Sequence, residues 1–221
     1  MIADGAVLVS GEVASKPGRV VADDAEILIS GDANPWVSRA ALKLVHGLEQ
    51  FAIDPAGLVA LDIGASTGGF SQVLLARGVT RVYAVDVGTG QLAESLRAEP
   101  RLISLEKTNA RSLSGALVPE AVELIVCDAS FIGLETVLPA ALALAAPGAR
   151  LVALIKPQFE VGPGIVGSGG IVRDPALHEA VCRRLEAWLG SQPGWRVLGI
   201  CDSPILGSDG NREFIMAGQY L

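Results

Sequence analysis

The chain has 221 residues, room for one full α/β domain plus a small appendage, and half of them are hydrophobic, enough for a buried sheet covered by helices. A net charge of −7 argues against a generic electrostatic grip on a polyanion, though not against a local basic patch. Cys127, Cys182 and Cys201 lie far apart, without metal-ligand spacing, and only two histidines are present, so no metal site is expected and the thiols read as buried groups in a reducing compartment.

The start of the chain has no basic segment followed by an apolar one, which argues against secretion. The most apolar segment, Val137–Gly148, is broken by Pro139 and Pro147 and falls short of the about 20 apolar residues that span a bilayer. A soluble, cytoplasmic protein with no membrane partner is expected.

Residues 1–30 read as short strands and turns. Ala6–Ser10 and Glu26–Ser30 are β-prone, and Gly11, Pro17, Gly18 and Asp23–Asp24 punctuate them. This piece is too small to bury a core alone. Asp32–Pro35 then makes a turn or linker. From Trp36 to Ala52, apolar residues recur at helical spacing, with Arg39 and Lys43 four apart on one face.

Strand and helix signals alternate from there. Strands are predicted at 59–64, 81–87, 102–106, 122–128, 149–156, 195–202 and 212–219, and helices at 68–77, 90–98, 112–118, 133–146 and 175–190. The alternation predicts an α/β fold, a seven-stranded, mostly parallel sheet with helices on both faces. No helix separates the last two strands, so the final one runs antiparallel, after a connection (Ser203–Asn211) rich in Pro, Gly, Ser and Asp. The Gly-rich segment Gln158–Gly170 reads as an active-site loop.

The stretch VALDIGASTGGF (59–70) is a strand, a tight turn of small residues and a helix start. Its turn (Asp62, Gly64, Ala65, Ser66, Thr67, Gly68, Gly69) lets backbone N–H groups approach a ligand at a helix N-terminus. Gly64, Ser66 and Gly69 stand where a dinucleotide fingerprint has its glycines, and Asp86 follows at the end of the next strand, where an acidic residue bonds ribose hydroxyls. Ser66 would hinder a pyrophosphate. S-adenosylmethionine has the ribose without the pyrophosphate, so the methyl donor is favoured. A nicotinamide dinucleotide and a ligand-free βα turn stay open at this point.

Asn109 follows the third strand of this series and either caps a helix or bonds an adenine edge. Asp128 ends the apolar run Leu124–Val126, and Lys156 ends Leu154–Ile155. A charged group closing a buried strand needs a partner or a task, and a structural Asp128–Lys156 pair is the plain alternative. Glu213 opens the last strand. Lys43, Asp128, Lys156 and Glu213 are thus two ammonium and two carboxylate groups on elements bordering one crevice.

Four stretches carry a family resemblance: VSRAALKL (37–44), LDIGASTGGFSQVLL (61–75), CDASFI (127–132) with LIKPQFEVG (154–162), and GSDGNREF (207–214). From about Trp36 to the end, the sequence resembles the TlyA-type (hemolysin A-like) ribosomal RNA methyltransferases, which have an FtsJ-like, Rossmann-type fold of the class I S-adenosylmethionine-dependent enzymes. The resemblance implies a Lys-Asp-Lys-Glu tetrad on Lys43, Asp128, Lys156 and Glu213. It also implies S-adenosylmethionine at the glycine turn, with Asp86 on its ribose and Asn109 and Asp128 nearby. The acceptor it implies is a cytidine 2′-hydroxyl in ribosomal RNA or ribosomal subunits.

VLVSGEVASKPGRVV (7–21) looks like the second half of an S-four-type RNA-binding module, giving a division into 1–33 (partial module and linker) and 34–221 (methyltransferase domain). The basic helical first half of that module is missing before Met1, leaving Lys16 and Arg19 as the cations of the first 30 residues. With Arg39 and a base-stacking Phe131, they are the expected RNA contacts, Phe131 having a core position as its alternative. The rival functions are a methyltransferase acting on another RNA or a small molecule, a dehydrogenase, and a pore-forming hemolysin, for which no membrane-spanning or basic amphipathic segment speaks.

Overall fold

The computed structural model describes residues 2, 7–14, 16, 18–29, 34–162 and 164–221. The chain divides into two compact units, Met1–Pro35 and Trp36–Leu221. Ala6, Pro17, Ser30, Asp32 and Ala33, which belong to segments read from the sequence as strand, turn or linker, lie outside the described residues, as does residue 163 of the Gly-rich segment.

Among its described residues the first unit holds three short antiparallel strands, β1 (Val7–Val9), β2 (Glu12–Val13) and β3 (Ile27–Ile29), in the order β2-β1-β3. Ser10 and Gly11 make the β1–β2 turn with φ of +50° and +82°, the two left-handed residues of a type I′ hairpin. Lys16 is exposed, and Arg19 pairs with Glu12 at 3.1 Å across a well-solvated surface.

The second unit opens with α1 (Ala40–Gln50), whose buried residues Ala41, Leu44 and Leu48 form an apolar stripe at helical spacing. Gly47 lets the helix sit on the sheet, since a Cβ there would meet Val152 and Ile215 at 3.0 Å. There follow β4 (Val59–Ile63), α2 (Gly69–Ala76), β5 (Arg81–Val85), α3 (Glu94–Arg97), β6 (Leu102–Leu105) and β7 (Val122–Cys127). The short α4 (Leu134–Val137) and α5 (Pro139–Leu142), β8 (Ala145–Ile155), α6 (Pro157–Glu160), α7 (Pro175–Ser191), β9 (Trp195–Asp202) and β10 (Phe214–Tyr220) complete it.

The seven strands lie in the order β6-β5-β4-β7-β8-β10-β9. The β4, β5, β6, β7 and β8 pairings are parallel, and β10 is antiparallel to both its neighbours. Alternation splits the inner strands between two apolar layers. Leu61, Ile63, Ile125, Cys127, Leu151, Ala153 and Ile155 face one layer. Ala60, Leu124, Val126, Val152 and Leu154 face the other. Both faces of the sheet are therefore covered, as a parallel sheet requires.

Three helical expectations changed. The helix predicted at 133–146 is two short helices, because Pro139 has no N–H to continue the first and instead opens the second. Ala145 already pairs with Val122 in the sheet, ahead of a register irregularity containing Gly148 at φ +87°. The helix predicted at 112–118 is a 3-10 turn, Ala110–Ser112, since Ser112, Ser114 and Gly115 favour turns over helix. The helix predicted at 90–98 shortens to Glu94–Arg97. Of the thiols, Cys127 is buried and pushed up to about 12 by burial, whereas Cys182 and Cys201 are only partly covered.

Candidate active site

The strand order reverses direction at β4, which sits between β5 and β7. That is the switch point outside whose C-terminal strand ends an open α/β sheet binds ligands. The loops after β4, β5, β7 and β8 converge there, together with the start of α1 and the connection before β10.

The turn after β4 is held from both sides. Gly64 and Ala65 donate N–H groups to Val85 O at 2.9 and 3.1 Å, and Asp128 N donates to Ile63 O at 2.9 Å. Gly64 has φ +80°, and a Cβ on it would stand 2.9 Å from the Asp128 carbonyl oxygen and 3.0 Å from Ala129 backbone atoms. Only glycine fits that approach. Ser66, at φ +46°, donates its N–H to Asp86 Oδ2 at 2.8 Å, while Gly88 N–H reaches Asp86 Oδ1 at 2.7 Å. Asp86 thus shapes the turn before it meets any ligand. Its two oxygens retain lone pairs for further donors.

Two cavities meet at this turn. The first, about 450 Å³, is walled by Arg39, Lys43, Asp128, Lys156 and Glu213 with Ala65, Thr67 and Gly69. The second, about 460 Å³, is walled by Asp86, Asn109, Val87 and Ala110. Gly64, Ser66, Asp128, Ser130 and Phe131 line both, so the cavities are contiguous. Asn109 Oδ1 accepts from Arg111 N at 3.0 Å, so its capping role is realised, and the residue also faces the second cavity.

The four charged residues form two pairs. Lys43 Nζ lies 2.6 Å from Glu213 Oε2, with side chains 8% and 3% exposed. Lys156 Nζ lies 2.6 Å from Asp128 Oδ1 and donates to Ser130 Oγ at 2.8 Å. The contact with Asp128 is an ion pair without hydrogen-bond alignment, and among the described residues no donor is aligned on that buried oxygen. Lys156 caps β8 and is positioned by it; Glu213 immediately precedes β10, which is antiparallel to β8 and brings it alongside. Residues from distant parts of the chain therefore meet in one wall.

Not every residue singled out from the sequence reaches a cavity. Asp62 is wholly buried beneath the turn, where Ser71 Oγ donates to its Oδ2 at 2.7 Å and its Oδ1 has no partner among the described residues. Burial pushes its carboxyl up to about 7. Gly68 starts α2 at φ +95° against Leu92 and Leu96, and lines neither cavity. Lys16 and Arg19 belong to the other unit. Phe131 is 89% exposed at φ +64°, which rules out the core position and leaves a strained aromatic at the cavity mouth.

Three contributors were not picked from the sequence. Ser130 bonds Lys156, and Phe159 packs on Phe131 with ring centroids 4.9 Å apart. The buried Asn211 ties Val172 N (3.0 Å, to its Oδ1) and Gly170 O (3.0 Å, from its Nδ2) to the loop that leads into Glu213. Nearness to Asp128, Lys156 and Glu213 was the available signal for all three.

Residues 36–220 match the model of the FtsJ-like methyltransferases. The 16S/23S rRNA (cytidine-2′-O)-methyltransferase TlyA of Mycobacterium tuberculosis is 48% identical over 221 residues, 98% of this chain and 81% of that protein. A solved hemolysin-named protein of Streptococcus thermophilus superposes with a TM-score of 0.85 at 38% identity, over 99% of this chain and 80% of the other. The N-methyltransferase NodS of Bradyrhizobium japonicum, solved with S-adenosylhomocysteine, shares the fold at 16% identity, with a TM-score of 0.58 over 86% and 89% of the two chains. With the strand order, the glycine turn and these matches in agreement, the chain belongs to the FtsJ-like methyltransferase family, on its TlyA branch.

Proposed function

We propose that this protein transfers the methyl group of S-adenosylmethionine to a ribose 2′-hydroxyl of ribosomal RNA, that of a cytidine. One observation carries the reading: two lysine–carboxylate pairs, Lys43–Glu213 buried and Lys156–Asp128 nearly so, line a cavity that opens directly onto the glycine turn. The 2′-hydroxyl of a cytidine is also the acceptor named for the M. tuberculosis relative.

The second cavity suits the methyl donor. Gly64 lacks the Cβ that would press on the Asp128 backbone, and Asp86 and Asn109 stand in the wall to bond ribose and base. Bound there, the cofactor supplies an electrophilic methyl group on a sulfonium. The chain's own residues then have a positioning task, since in-line displacement gains most from orientation. As the neutral amine, its ammonium proton released to solvent beforehand, Lys156 contacts the 2′-oxygen and takes its proton as the new bond forms. Asp128 and Ser130 aim Lys156, Glu213 aims Lys43, and Lys43 steadies the ribose or its phosphate. Phe131 offers a face on which the splayed-out base stacks, and Arg39 contacts the backbone beside it.

The first unit we read as the second half of an S-four-type RNA-binding module, its Lys16 and Arg19 adding cations for RNA contact and its boundary falling near residue 33. The protein works in the cytoplasm, where its substrate is. Among the described residues no helix is long and apolar enough to cross a membrane.

The test is methyl transfer from radiolabelled cofactor to unmodified small and large subunits, whole ribosomes, naked rRNA and free nucleosides, with mapping of the product. Label on one cytidine 2′-oxygen is expected. Label only on a base, or only on nucleosides, would overturn the reading, and a Lys156→Ala protein that binds cofactor and methylates at full rate would remove Lys156 from its role.

A further inference from the structure

The loops after β7 and β8 carry Asp128 and Lys156, and three contacts join them along a seam. Nearest the strand ends is the Lys156 contact with Asp128 and Ser130. Next comes the Phe131–Phe159 ring pair. Beyond it stands Glu160, whose Oε1 accepts from Leu134 N at 2.8 Å and whose Oε2 accepts from Arg184 Nη2 at 2.7 Å. Arg184, on α7, also pairs with Glu135 at 2.6 Å.

Glu160 is unlike the other two contacts in one respect: it lines neither cavity. Its side chain is 3% exposed, and a carboxylate withdrawn from water persists only where it is paired and hydrogen-bonded. Gly133 makes room for it, since a Cβ there would stand 3.2 Å from Oε2. Phe131 gives this arrangement its purpose. An aromatic residue at φ +64° is strained and holds that conformation only when its surroundings over-determine it. Burial does not do so, because the ring is 89% exposed. The restraints left are the Phe159 ring and, just downstream, the pinned amide of Leu134.

We infer that Glu160 is a positioning residue for methyl transfer: by tying Leu134 and Arg184 together it holds the Asp128–Phe131 loop in register with Lys156 and Phe159. It acts through those residues and touches neither acceptor nor cofactor. The inference rests on the methyl-transfer reading, and it separates from a purely structural role because it predicts a loss in the chemical step with cofactor binding intact.

Glu160→Ala removes both bonds, whereas Glu160→Gln keeps an acceptor for Leu134 N. For Glu160→Ala, kcat on rRNA should fall about tenfold or more while S-adenosylhomocysteine affinity by calorimetry stays within about twofold. Glu160→Gln should stay within about threefold of wild type. Amide exchange at Leu134–Thr136 should rise about tenfold in Glu160→Ala. In a Phe131→Ala background the same substitution should cost clearly less than in wild type, because the part of its action that runs through the Phe131–Phe159 ring pair is already cut. Unchanged kcat in Glu160→Ala, full additivity with Phe131→Ala, or unchanged exchange would each overturn the proposal. A wild-type protein that methylates no ribosomal substrate would overturn the functional reading instead, and the exchange measurement then decides on its own whether Glu160 ties the loops.

Discussion

The Lys43–Glu213 pair allows stability and catalysis to be pulled apart. Its atoms stand 2.6 Å apart with side chains 8% and 3% exposed, and Gly207 lies so close that a Cβ on it would press on Glu213 Oε1. Lys43→Met leaves that carboxylate buried without its cation. Removing one partner of a buried pair costs about 3–5 kcal/mol. At about 2–4 °C per kcal/mol for a chain of this size, Tm should drop by roughly 6–20 °C. Lys43→Met/Glu213→Leu replaces the pair with apolar groups, a change that is often neutral or stabilising, and should recover most of the loss. Scanning calorimetry reads the first effect and methyl transfer the second. The double variant should be folded and bind S-adenosylhomocysteine, yet transfer methyl poorly. A double variant as unstable as the single would refute the energetic argument, and one with wild-type activity would refute the catalytic one.

Gly64→Ala adds left-handed strain, about 1–2 kcal/mol, to a clash with the Asp128 backbone that costs about 1–3 kcal/mol more. Calorimetry should show both a lower Tm and weaker S-adenosylhomocysteine binding, and unchanged values would remove the close approach as the reason for glycine. Phe131→Ala should leave Tm nearly unchanged, because the ring is 89% exposed, while kcat/KM on rRNA falls by the worth of a lost base stack, about 1–3 kcal/mol or roughly 5- to 150-fold. Asp62 has its carboxyl raised from an ordinary 3.8 to about 7 by burial. Between those values the folded chain holds a proton that the unfolded chain releases, so stability falls as pH rises through that window, by about 4 kcal/mol in all. Asp62→Asn should abolish this term: Tm profiles from pH 4 to 8 should diverge, with the variant gaining on wild type toward pH 8, and parallel profiles would count against it.

The sheet was legible because each buried strand carries a short apolar run closed by a polar residue. Asp62–Gly64, Asp128 and Lys156 all mark strand ends in this way. Helices built on marginal propensity were not legible to the same degree. At Pro139 and at Ser112–Gly115 local backbone chemistry overrode the apolar pattern. The site shows the same division. Spacing put Arg39 and Lys43 on one helical face, but Arg39 precedes the first turn of α1 and stays exposed, while Lys43 is buried. Which lysine pairs with which carboxylate follows from β10 running antiparallel beside β8, a long-range fact. Glu160 was invisible for the same reason, since both its partners come from elements distant in sequence.

How an acidic chain serves an RNA substrate is answered by the same pairs. With every group charged, Arg39, Lys43 and Lys156 are matched by Asp128, Asp209 and Glu213 in the lining of the first cavity, so its wall has no net charge and contributes little to a grip on phosphate. Such a wall suits the proposed reaction. Methyl transfer from a sulfonium removes positive charge from sulfur while a proton leaves the acceptor oxygen, and a strong excess of either sign would oppose one of these changes. Paired groups supply direction instead: each lysine is aimed by a carboxylate whose own position is set by a strand end. Phe131 and Arg39 line the same cavity and are the contacts proposed for the base and its backbone. A sequence-tolerant stacking face beside a rigid, electrically balanced wall selects for a nucleotide already drawn out of its helix. The free energy of that extrusion, more than phosphate affinity, is what the proposed enzyme has to meet.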